Sequence, residues 1–233
     1  MTNNNSEIER TVVIDFLHDA WKGLKDFYGT TSPEDTISFI KFAGEIDDST
    51  LLLAVWKEYQ ERNVKINPHL LTIYAKAAGL TKQGDLLNEI WNQLKSYIGS
   101  KLKIEVASIA KSAALVGDAK ILNDVWSNWS AKNILKNSPT RLCIGQAAAQ
   151  LGMIELLRLM WKEEYLWPTT NKSTIAGYLA VILQFNVKGI LEQVITKCIS
   201  GNLLPDDSLS KKIKDTALSV GEDYLITRYR MHL

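Results

Sequence analysis

Cysteine is nearly absent from this chain: there are two in 233 residues, Cys143 and Cys198, far apart and each inside an apolar helical pattern. Neither a disulfide framework nor a metal knuckle is implied by such a pair, and both are expected to be small buried hydrophobes. Proline is sparse too, five in all. Each one falls near the first turn of an expected helix, where its missing N–H costs least. No apolar run approaches the roughly 20 residues that cross a bilayer, so no membrane span is expected. The opening MTNNNSEIER is polar and carries two acids, unlike a secretory signal or an Arg-rich transit peptide. It suits a cytosolic protein or one whose targeting segment lies outside this chain. An excess of either charge is also missing, 27 basic against 26 acidic residues for a net +1. Only a clustered basic face would then mark a polyanionic partner.

Catalytic vocabulary is equally thin. His18, His69 and His232 are scattered, and no HExxH, GxSxG, Walker loop or metal-spaced Cys/His group is written. The acidic pairs Asp47–Asp48, Glu163–Glu164 and Asp206–Asp207 sit at expected element boundaries, where caps and solvated turns use them. The expectation is a binding protein rather than an enzyme, with no cofactor, no metal site and no small-molecule substrate.

What is abundant is a phrase: FLHDAW (16–21), LLLAVW (51–56), LLNEIW (86–91), ILNDVW (121–126) and LLRLMW (156–161). Successive tryptophans, Trp21, Trp56, Trp91, Trp126 and Trp161, stand 35 residues apart, and ILEQVI (190–195) is a sixth copy with Ile195 one residue short of the period. Self-similarity at a fixed short period predicts stacked supersecondary units rather than one globule. Within a unit, HLLTIYAKAAGL (69–80) and DLLNEIWNQLKSYI (85–98) each place apolar residues on one helical face. Gly117 and Gly152, each nine residues before a Trp, predict left-handed turns between paired helices, and Asp118 predicts an N-cap.

Nothing in the pattern reads as a strand. The expected fold is all-α, a right-handed α-solenoid of helix–turn–helix repeats with a 35-residue period. Residues 1–6 are expected to be disordered, 7–220 to form about five and a half hairpin repeats, and 221–233 to cap the last one. The Trp phrase is expected to be the seam between one hairpin and the first helix of the next, with Trp129 and Trp167, outside the register, only partly buried.

The period, the Gly before the second helix, the aliphatic–aromatic pair late in it (Ile90–Trp91, Val125–Trp126) and the unit-ending LLPDD (203–207) together resemble the pentatricopeptide repeat family. The resemblance covers nearly the whole chain. It implies a superhelix whose first helices line a groove for single-stranded RNA, with mitochondrial localisation and a role in transcript stabilisation, processing or translation. Positions corresponding to the family's base-reading pairs are Ile37 with Asn67, Thr72 with Leu102, Ala107 with Asn137, Leu142 with Lys172, and Ala176 with Asp206. No pair is a complete polar pair, leaving Thr72, Asn137 and Asp206 as isolated candidates. One turn further along the first helices, Lys41, Lys76 and Lys111 recur at the period, and Gln146 takes the next place. Such a ladder suits a phosphate backbone. The alternative is a protein-interaction scaffold or ribosome-associated subunit that kept the helical stack without base readout.

Overall fold

Apolar residues recurring at three- and four-residue intervals wind the chain into amphipathic helices separated by short breaks. The computed structural model describes residues 3–28, 33–61, 67–98, 106–131, 138–165, 172–201 and 207–229, and its regular structure among these is helical throughout. Two compact units divide the chain, Met1–Lys132 and Asn133–Leu233. The first holds α1 (Asn3–Tyr28), α2 (Pro33–Glu45), α3 (Ser49–Glu61), α4 (Pro68–Leu80), α5 (Gly84–Leu94), α6 (Val106–Val116) and α7 (Ala119–Ala131). The second holds α8 (Ser138–Gln150), α9 (Ile154–Tyr165), α10 (Lys172–Phe185), α11 (Leu191–Ser200), α12 (Asp207–Val220) and α13 (Tyr224–Arg228).

Local chemistry sets the boundaries. Pro33 and Pro68 open α2 and α4, and Asn67 caps α4 by accepting from the His69 and Leu70 N–H groups. The described chain begins inside α1, at Asn3. Extending a formed helix adds a hydrogen bond per residue without a new nucleation cost, so polar residues can continue it.

Among the described residues, six hairpin turns close alike. In unit 1 the left-handed residues are Asp47, Lys82 and Gly117, with φ of 57°, 54° and 79°. The N–H of each following residue, Asp48, Gln83 and Asp118, donates to the Ala43, Ala78 and Ala113 carbonyls five residues back, at 2.8 to 2.9 Å. In unit 2 the corresponding residues are Gly152, Asn186 and Gly221. There Met153, Val187 and Glu222 donate to Ala148, Ile182 and Ala217. This is the Schellman closure, which satisfies carbonyls orphaned at a helix end. Asp118 then caps α7 through the Ile121 N–H at 2.9 Å, and Asp48 caps α3 through the Leu51 N–H at 3.0 Å.

Packing follows from these short turns. In unit 1, α2, α4 and α6 pack in succession while α3, α5 and α7 each lie against the first helix of their own hairpin. In unit 2, α8, α10 and α12 pack in the same succession. Close approach needs small residues. A Cβ on Gly44 would stand 3.1 Å from Ala77 Cα, and one on Gly79 would stand 2.8 Å from Ser112 Cα.

The tryptophans of the repeated phrase are all buried. Trp21 meets the Phe39 ring edge-on at 5.0 Å, and Trp56 meets Tyr74 at 4.9 Å, so an indole late in one hairpin packs on the first helix of the next. Trp161 and Tyr178 do the same in unit 2 at 4.8 Å. Ile195, in the Trp slot of the sixth phrase, is buried as well. Trp129, expected to be partly buried, is 2% exposed, its ring 5.7 Å from that of Trp126. It stands three residues after Trp126, hence on the same helical face. Trp167 lies outside the described residues.

Candidate nucleic-acid interface

Because α4 is flanked by α2 on one side and α6 on the other, it keeps only a narrow solvent strip: His69, Lys76 and Leu80. On α6 the strip is Lys111 and Leu115, with Ala107 half-buried above them. Lys41 is exposed on α2 beside Phe42. All three lysines therefore stand on solvent faces of consecutively packed helices. Gln146 is half-buried on α8, and it belongs to the second unit.

The polar candidates fare differently. Thr72 is 3% exposed, and its hydroxyl donates to the Pro68 carbonyl one turn back at 2.9 Å. A buried threonine hydroxyl takes its own helix carbonyl when nothing else is within reach, so Thr72 offers no group to a ligand on the solvent strip. Asn137 and Asp206 lie outside the described residues, as does Leu102. Among the other base-reading positions, Ile37, Ala107, Leu142 and Ala176 are half-buried, Asn67 is spent as the α4 cap, and Lys172 is exposed with a polar partner. Arg228 is held by Glu192 at 2.7 Å and lies over the Tyr229 ring. Arg230 falls outside the described residues.

The apolar neighbours of the lysines were not anticipated. Phe42, Leu80 and Leu115 are 47%, 49% and 45% exposed. Leu80 and Leu115 each follow their lysine by four residues, one turn along the same face. Their signal was available in the sequence as the paired spacings Lys76–Leu80 and Lys111–Leu115, hidden because leucines in a helix are assigned to the core by default.

Among the described residues, no group of three His, Cys, Asp or Glu side chains comes together as a metal site, and no helix is long and apolar enough to cross a membrane. No family model matches the chain, and neither a curated protein nor a solved structure matches it.

Proposed function

We propose that this chain is a helical-repeat protein of pentatricopeptide type that binds single-stranded RNA in mitochondrial RNA metabolism, through phosphate contacts and without base-by-base readout. The observation that carries the proposal is the placement of Lys41, Lys76 and Lys111 on the solvent faces of α2, α4 and α6. Packed helices lie about 8–10 Å apart, so three such positions span roughly 16–20 Å, a reach suited to an extended polyanion. The solenoid reading is supported within unit 1 by the left-handed turn residues at 47, 82 and 117, two steps of 35. In unit 2 they stand at 152, 186 and 221, with the short step where Ile195 also falls one residue early.

A second reading, a protein-docking scaffold, is favoured by one specific observation: Phe42, Leu80 and Leu115 expose apolar surface beside the same lysines. A labelled single-stranded RNA titrated at two salt concentrations separates the two. The RNA proposal expects affinity that falls steeply with salt and weakens in the Lys41→Glu, Lys76→Glu, Lys111→Glu triple variant. Absence of binding near physiological salt, together with a co-purifying protein, would instead support the scaffold.

A further inference from the structure

The hairpins leave a second polar surface, on the side of the second helices. Between α5 and α7 lies a cleft of about 540 Å³, whose lining includes Asn88 and Asn92 from α5, Lys95 just past its end, and Lys120, Asn123 and Ser127 from α7. Trp91 and Asp124 bridge the two helices, the indole N–H donating to the carboxylate at 2.6 Å. Asp124 is thereby spoken for: Asn128 also donates to it at 2.9 Å, and the Lys95 ammonium stands 3.7 Å away. The other groups are not so engaged. Among the described residues, the side chains of Asn88, Asn92, Asn123 and Lys120 make no hydrogen bond or ion pair.

Three side-chain amides, each able to donate and accept at once, match the alternating N–H and C=O groups of a peptide main chain. Their spacing fits as well. Asn88 and Asn92 are four residues apart on a helix, about 6 Å along its axis, close to the roughly 6.6 Å between alternate residues of an extended strand. Charge narrows the ligand further. Two ammonium groups against one carboxylate leave the lining one unit positive, which suits a single acid better than a chain of phosphates. We infer that the cleft between α5 and α7 binds an extended peptide segment carrying one carboxylate, with the amides gripping its main chain and Lys120 pairing with its acid. This site is independent of the RNA proposal, which uses the opposite helices of the hairpins.

The test uses a pool of degenerate heptapeptides, blocked at both ends, with Glu fixed at the centre, against the same pool carrying Gln there. Binding to the whole chain is read by amide NMR, with the indole resonance of Trp91 and the side-chain amides of Asn88, Asn92 and Asn123 as reporters. The inference expects saturable shifts of these signals with the Glu pool and at least tenfold weaker binding of the Gln pool, as expected for losing a charge-assisted bond. Lys120→Glu should abolish the preference, Lys120→Arg should retain it, and Lys41→Glu should leave it unchanged. Equal response to both pools, no response to about 5 mM peptide, or persistence of the preference in Lys120→Glu would overturn it. So would a stronger shift of the same signals by oligouridylate, which would assign the cleft to nucleic acid.

Discussion

The indole N–H of Trp91 on α5 donates to the Asp124 carboxylate on α7 at 2.6 Å, and one hairpin earlier Trp56 donates to Glu89 at 3.0 Å. Each acceptor sits two residues before the next Trp of the series, at the fourth place of the repeated phrase. A buried indole thus gains a partner from the following hairpin, linking neighbouring second helices.

Removing that partner should cost more than its own exposure suggests. Asp124→Ala strands the indole N–H of an almost fully buried Trp91, so destabilisation of about 1–3 kcal/mol is predicted in urea unfolding. Trp91→Ala should cost about 3–5 kcal/mol. In the Trp91→Phe background, Asp124→Ala should cost clearly less than in the wild type; equal costs in both would show that the bond contributes nothing.

The six turns give a reciprocal pair. Gly117 has φ +79° with nothing within 4 Å of an added Cβ, so Gly117→Ala should destabilise by about 1–2 kcal/mol through backbone strain alone. Lys82 holds φ 54° with a side chain present, so Lys82→Gly should be neutral or stabilising. Thermal unfolding of the two variants would contradict this if both moved the same way by similar amounts.

Helix spacing gives a third prediction. An added methyl at Gly79 meets Ser112 Cβ at 2.7 Å and Cα at 2.8 Å, so α4 and α6 must part. Gly79→Ala should lose about 1–3 kcal/mol, whereas Gly84→Ala, with open space around it at the first position of α5, should be near neutral. Denaturant midpoints for the two decide it.

Cys198 supplies a pH dependence. Burial pushes its thiol up to about 11 from an ordinary 9.0. The folded state therefore holds this proton more tightly than the unfolded state, and the resulting stability is fully present below pH 9 and lost as pH rises through about 11. Stability should fall across that window, and the fall should shrink in Cys198→Ala. In the folded protein a thiol reagent should label the half-buried Cys143 well before the buried Cys198.

Much of the local structure was legible because periodic residues have periodic jobs. Gly117 and Gly152 announced left-handed turns, Asp118 its cap, and the Trp phrase its burial. Asp47, Lys82 and Asn186 were not legible as left-handed, since a Schellman closure can force that conformation on a residue that does not advertise it. The burial of Thr72 was not legible, because polarity in a sequence does not reveal whether neighbouring helices cover the side chain, and α4 is covered on both sides. Lys41, Lys76 and Lys111 were expected on one face, and each is exposed on its helix. The apolar residues beside them escaped notice because a leucine one turn from a lysine satisfies the amphipathic pattern whether it faces the core or water.

The central claim is that these three lysines meet phosphate. Its most direct measurement is the slope of log affinity against log salt for oligouridylate, in the wild type and in a triple variant with Lys41, Lys76 and Lys111 changed to Gln. Each phosphate contact on a single strand contributes about 0.7 to the slope, so the account predicts that it flattens by about 2 in the variant. A wild-type slope near zero, or one that the triple variant leaves unchanged, would contradict it.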